Sequence, residues 1–287
     1  MTADQLQPVS IEHRGRHFRF YDEGEGAVAV LILHGIGNNK ECMIPLVRYL
    51  CVDVRAIAID LPGHNTIPMD DIRDMGGYVE YIRDFITFLD LEHVMLVGYS
   101  MGGLISIKYA ELYPDDKRIR GVVAWVSPIL GGDTGLTTMA QTFLHILDRT
   151  PKQLYRMLQC RPILRIVSVL LPFSLSKEEI HGYSIFPYES YTRIMSLILH
   201  DTYNIKTGVP LLCVFGTRDT IISRRNYRHA LKQKCTNCII EKVSHGGHFP
   251  QPKARDEVFA KIRIFIQKLS QVAPAAGHGY SNPPRTV

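Results

Sequence analysis

The stretch Met95–Leu104 reads MLVGYSMGGL. An apolar run stops at a serine set among glycines, and a second apolar run begins at once. Glycine weakens strand and helix interiors alike, so three glycines around one hydroxyl mark a sharp turn where the backbone approaches other elements closely. A G-x-S-x-G segment that follows a buried strand and opens a helix raises the serine hydroxyl at the edge of a sheet, as a nucleophile needs. The following GGLISIKYAELYP (102–114) predicts a helix whose first amides and dipole point at the same spot, favouring negative charge developing on a bound carbonyl. The bland alternative is a glycine-rich turn with a capping serine, and a cap calls for no partners elsewhere in the chain.

Partners are present, in the required order. FGTRDTII (215–222) sets Asp219 in a loop after the next-to-last predicted strand, and SHGGHFPQ (244–251) sets His248 in a loop after the last one. Both loops open on the carboxyl edge of a parallel sheet, where ligands bind. Serine is a weak nucleophile at neutral pH, so His248 is expected to take its proton and Asp219 to orient the imidazole. His245 competes as the base, but Gly246 and Gly247 give His248 the reach. Asp133 in LGGD competes as the acid, against its plainer reading as a solvated loop carboxylate. In LILHGIGNN (31–39), the loop after a buried strand can aim the amide of Ile36 at the site, opposite that of Met101, as an oxyanion hole. His34 in that loop reads as an ordering hydrogen-bond partner rather than a base.

Around these segments the hydrophobic period alternates. Val9–His13 and Arg16–Tyr21, joined by Arg14 and Gly15, predict a tight hairpin. AVAVLILHG, VRAIAID, HVMLVGYS, RGVVAWVSP, VPLLCVFG and CIIEKVSH are short β-branched runs suited to strands buried on both faces. Val79, Ile82, Phe85, Ile86 and Leu89 recur at helical spacing, as do Val258, Ile262, Phe265 and Leu269. The alternation predicts an α/β fold: a mostly parallel twisted sheet with helices on both faces.

From 131 to 206 no convincing strand occurs, only helical pieces (TTMAQTFLHILDR, PKQLYRMLQ, RPILRIVSVLL, YTRIMSLILHD) punctuated by Pro151, Pro162, Pro172 and Pro187. The expected division is a core over 1–130 and 207–272, a helical cap over 131–206, and a disordered Gly, Pro and Ala-rich tail over 273–287.

Composition narrows the function classes. The 287 residues are 46% hydrophobic and 21% charged, an ordinary globular balance. The formal charge of +5 is mild, and the basic stretch Ser223–Lys234 reads as a solvated helix face, so no nucleic-acid partner is expected. Neither a signal-like N-terminus nor a segment of spanning length is found, which predicts a soluble, cytoplasmic protein without an integral membrane segment. The cap's richness in Leu, Ile, Met and Tyr suggests an apolar acyl pocket, although packing onto the core explains most of that composition, and Ile163–Leu175 is a candidate for transient contact with a lipid surface. The six cysteines show no disulfide framework and are expected as reduced thiols; Cys235 and Cys238 lack the second ligand pair of a zinc site. No metal or cofactor is expected.

Taken together, HGIG, DLPGH (60–64), GYSMGG, GTRD and GGHF resemble, in order, the signature segments of the α/β-hydrolase superfamily over nearly the whole chain apart from cap and tail. The resemblance implies Ser100, Asp219 and His248 as a triad, Ile36 and Met101 as oxyanion donors, and a cap that sets specificity above the pocket. Asn65 stands where such proteins often carry a glycine, and asparagine can still take a left-handed turn. A serine nucleophile sets the chain apart from the haloalkane dehalogenases and epoxide hydrolases of that superfamily, which use aspartate. The implied activity is hydrolysis of carboxylic esters with a small or medium apolar acyl group through an acyl-enzyme. Carbon–carbon hydrolase, thioesterase and monoacylglycerol lipase activities are the enzymatic alternatives, and a ligand-binding receptor the alternative of another class.

Overall fold

A computed structural model describes residues 6–69, 71–128, 137–138, 142, 150–170, 175–200, 207–222 and 237–271. Among the described residues eight strands form one sheet: β1 (Val9–His13), β2 (Arg16–Glu23), β3 (Ala29–Leu33), β4 (Arg55–Ile59), β5 (Val94–Tyr99), β6 (Ile119–Trp125), β7 (Leu211–Gly216) and β8 (Cys238–Val243). Their order is β1-β2-β4-β3-β5-β6-β7-β8. The hairpin β1–β2 runs antiparallel and pairs antiparallel with β4; every other neighbouring pair is parallel. At its turn Arg14 (φ 50°) and Gly15 (φ 75°) both take positive φ, the geometry whose twist matches the flanking strands.

Strands β3, β5 and β7 are buried and apolar along their whole length, and β4 and β6 nearly so, because both faces of the central sheet are covered. Leu31, Leu33, Ile57, Ile59, Leu96, Val122 and Ala124 join one core, whereas Val30, Ile32, Ala56, Ala58, Met95, Val97, Val123 and Trp125 join the other. This period-two split follows directly from strand geometry. Helices α2 (Met75–Phe88) and α3 (Met101–Leu112) cover the first face, and α1 (Ile44–Leu50) and α8 (Pro252–Ser270) the second.

Between β6 and β7 the described elements are all helices: α4 (Lys152–Leu158), α5 (Arg161–Leu170), α6 (Lys177–Ile185) and α7 (Tyr188–His200). Helix α6 was not among the expected pieces. Its start is a capping box, in which the Ser176 hydroxyl accepts from the Glu179 amide at 3.1 Å and the Glu179 carboxylate accepts from the Ser176 amide at 2.7 Å. Most of TTMAQTFLHILDR, the basic stretch Ser223–Lys234, Cys235 and the tail lie outside the described residues.

One expectation is corrected. Cys238 is disulfide-bonded, whereas Cys42, Cys51, Cys160 and Cys213 are free thiols. Reading the spacing of the six cysteines for a framework does not register this bond. Among the described residues no helix is long and apolar enough to cross a membrane.

Candidate active site

Strand β5 ends at Tyr99, and Ser100 stands at the N-cap of α3 with φ 51° and ψ −113°. Such a conformation costs a non-glycine residue about 1–3 kcal/mol and persists only where the surroundings impose it. The surroundings here are backbone: a Cβ on Gly98 would collide with Gly102 and Gly103, and one on Gly102 would collide with the Leu33 carbonyl. The elbow therefore closes tightly enough to aim the hydroxyl at the carboxyl edge of the sheet.

Two further loops meet it there. His248 Nε2 lies 3.1 Å from Ser100 Oγ, and His248 Nδ1 lies 3.1 Å from Asp219 Oδ2. The other carboxylate oxygen, Oδ1, accepts the Ile221 and Ile222 amides at 2.8 and 2.9 Å, so the acid is anchored by its own turn. All three side chains are buried. With Asp219 accepting from Nδ1–H, Nε2 is left as an acceptor facing the serine hydroxyl. The rival base, His245, is exposed, and its amide is held by Thr217 Oγ1 at 2.9 Å. Asp133 lies outside the described residues.

The loop after β3 borders the same point. A Cβ on Gly35 would approach the Tyr99 ring to 2.9 Å and the Ser100 Cβ to 3.2 Å, so this loop passes directly beside the serine, and Ile36 is its next residue. Met101 opens α3, where the first amides have no acceptor within the helix. The loop is tied down from below. His34 donates from Nδ1 to the Gly35 carbonyl at 2.8 Å and accepts at Nε2 from the Leu61 amide at 3.0 Å. Complete burial, more than the nearby Lys40 charge, drives its pKa down to about 4, so the ring is neutral and serves as an organiser.

Sequence reasoning did not register a buried ion pair beneath this loop. Lys40 Nζ lies 3.1 Å from Asp60 Oδ2, its amide donates to Asp60 Oδ1 at 2.8 Å, and both side chains are fully buried. Asn65, at φ 53°, adds a bond from Nδ2 to Asp60 Oδ2 at 3.1 Å. Its left-handed turn is thus the one expected where a glycine often stands. The signal was the aspartate of DLPGH together with a lysine just after HGIGNN, but a lone lysine ordinarily reads as exposed.

The helices between β6 and β7 reach these loops. The Tyr183 ring lies against Gly37 and 6.4 Å from the Phe249 ring, while Phe186 stacks on His64 at 4.6 Å. Among the described residues no group of three or more His, Cys, Asp or Glu is placed to hold a metal ion.

Comparison with known proteins gives a consistent frame. A model of the alpha/beta hydrolase family matches residues 30–261. The chain is 26% identical over 279 residues to the dihydrolipoyllysine-residue acetyltransferase component of the acetoin cleaving system of Pseudomonas putida, covering 93% of this chain and 72% of that one. It is 24% identical over 243 residues to monoacylglycerol lipase ABHD6 of Homo sapiens, covering 77% and 69%. A thermophilic esterase from Thermogutta terrifontis superposes with a TM-score of 0.70 at 19% identity, over 92% of this chain and 99% of that one.

Proposed function

We propose that this chain, which belongs to the alpha/beta hydrolase family, is a serine hydrolase that cleaves carboxylic esters of small to medium apolar acyl groups. The observation that carries the reading is the continuous relay Ser100 Oγ, His248, Asp219, with both links at 3.1 Å. Ser100 Oγ attacks the ester carbonyl carbon while its proton passes to His248 Nε2, and the Asp219 carboxylate stabilises the imidazolium. The oxyanion is received by the amides of Ile36 and Met101. His248 then gives its proton to the departing alcohol, and water repeats the sequence on the acyl-enzyme, releasing the acid. Residues 131–206 act as a cap that selects the acyl group, on the strength of the Tyr183 and Phe186 contacts with the loops around the serine. The proposal includes a cytoplasmic setting, which the four free cysteines support and the disulfide at Cys238 opposes.

The test is turnover of p-nitrophenyl esters from acetate to palmitate by the wild type and Ser100→Ala side by side. Serine-dependent turnover with a chain-length optimum supports the reading and sizes the pocket. Wild-type turnover no greater than the variant's removes it and moves the search to carbon–carbon bonds, thioesters or a receptor role. A second reading, monoacylglycerol hydrolysis, is favoured by the similarity to ABHD6; it requires glycerol monoesters to outcompete simple alkyl esters of the same acyl chain.

A further inference from the structure

Helix α5 exposes apolar as well as basic side chains. Arg161, Arg165 and Ser168 recur at i, i+4 and i+7 and form one stripe, with Ile163 and Ile166 on the opposite side. A helix packed on a core turns its apolar stripe inward. Arg161 is held by a neighbour, bonding through Nη2 to His181 Nδ1 at 2.6 Å and through Nε to Ser184 Oγ at 3.3 Å, both on α6, while Arg165 on the same stripe is exposed. Ile166, on the other side, is 58% exposed. The adjoining helices continue the pattern, with Leu154 at 43% and Met157 at 55% on one face of α4, and Ile185 at 40% at the end of α6.

The charged side chains of α4 and α5 are all basic, while Glu178 and Glu179 open α6. From Arg149 to Lys177 the chain carries six Lys and Arg residues (149, 152, 156, 161, 165 and 177) and no carboxylate. Lys152 pairs with Glu189 and Arg161 is held by α6, while Arg156 and Arg165 stand exposed beside the apolar positions. Exposed apolar side chains interleaved with arginines match an anionic lipid surface, where the apolar groups enter the headgroup boundary and the guanidinium groups meet phosphates. At ten residues α5 is about 15 Å long, fit to lie on a bilayer and too short to span one.

We infer that α4, α5 and the end of α6 form a docking face for an anionic lipid surface, with Met157 and Ile166 entering the lipid and Arg156 and Arg165 contacting its phosphates. The face lies outside the relay of Ser100, so binding and chemistry are separately testable. The experiment is flotation of the full chain carrying Ser100→Ala with vesicles of phosphatidylcholine alone and of phosphatidylcholine with about one third phosphatidylglycerol. Binding is expected on the anionic vesicles only and to fall with added salt. Arg156→Gln and Arg165→Gln should each weaken it about fivefold, and Met157→Asp with Ile166→Asp should abolish it. Circular dichroism and phosphonate labelling of the same variants with Ser100 restored verify that the fold is kept. Equal binding to neutral vesicles, binding that the four substitutions leave unchanged, or no binding overturns the proposal. So does concentration-dependent dimerisation that Met157→Asp with Ile166→Asp abolishes, because a second copy would then be the occupant.

Discussion

Tyr99 donates its hydroxyl to the backbone carbonyl of His248 at 2.9 Å, joining the residue immediately before Ser100 to the residue whose ring faces Ser100. The two are 149 positions apart, and the bond is buried. The Tyr99 ring also packs on Trp125 at 4.8 Å, so the clasp is fixed to the sheet rather than to a loop. Strand β5 thus supplies the serine and also holds the backbone of its partner.

Tyr99→Phe keeps the ring and removes the clasp. The buried His248 carbonyl would lose its donor, at a cost of about 1–3 kcal/mol in stability. Turnover of p-nitrophenyl esters is expected to fall about tenfold, mainly in kcat, because the ring of His248 is less well fixed. Unchanged kcat would mean that Phe249 and Asp219 hold the histidine without help.

Asp219→Asn probes the tautomer. Its carbonyl oxygen can still accept the Ile221 and Ile222 amides, which turns the amide nitrogen toward His248 Nδ1. Nδ1 must then accept, the proton moves to Nε2, and the serine loses its base. The expected loss is about 10³–10⁴-fold in kcat with little change in thermal stability. A loss below about tenfold would show that Asp219 does not set the tautomer of His248.

Much of this arrangement is legible in the sequence. The strands were readable because a sheet buried on both faces demands continuous β-branched runs, and Ser100, Asp219 and His248 because each follows such a run at its carboxyl end. Helix α6 escaped because HGYSI carries no apolar stripe; its signal is the capping box at Ser176 and Glu179, which periodicity ignores. The buried Lys40 and Asp60 escaped for a different reason. A lysine's burial depends on a partner that the chain brings from twenty residues away, and neither residue advertises the other.

Gly182→Ala tests how the candidate cap controls the loop of Ile36. A Cβ at Gly182 would stand 2.6 Å from the Gly37 carbonyl oxygen, a backbone atom that cannot swing aside. Helix α6 must lift or the loop must shift. Because geometry at the proposed oxyanion donor Ile36 would matter within about 1 Å, kcat is expected to fall by one to two orders of magnitude while the core's unfolding temperature barely moves. Full activity in the variant would show that α6 and the loop yield to each other freely.

His34 gives the chain a predictable weakness to acid. Its folded pKa, lowered to about 4 chiefly by burial, lies below the ordinary histidine value of 6.5. Below 6.5 the unfolded chain binds a proton that the native one refuses, so stability is complete above about pH 6.5 and falls as the pH approaches 4. The full difference corresponds to about 3 kcal/mol for this residue. His64, also buried and lowered by desolvation and by His34, adds to the loss in the same direction. Urea unfolding between about pH 6.5 and 5.5, where carboxylates scarcely titrate, should therefore show a falling midpoint. In His34→Gln, which keeps a side-chain donor and acceptor but cannot titrate, the protein should be less stable at neutral pH and its midpoint less steep with acid. An equally steep midpoint in the variant would assign the acid sensitivity to other histidines and leave His34 without the neutral, loop-ordering role.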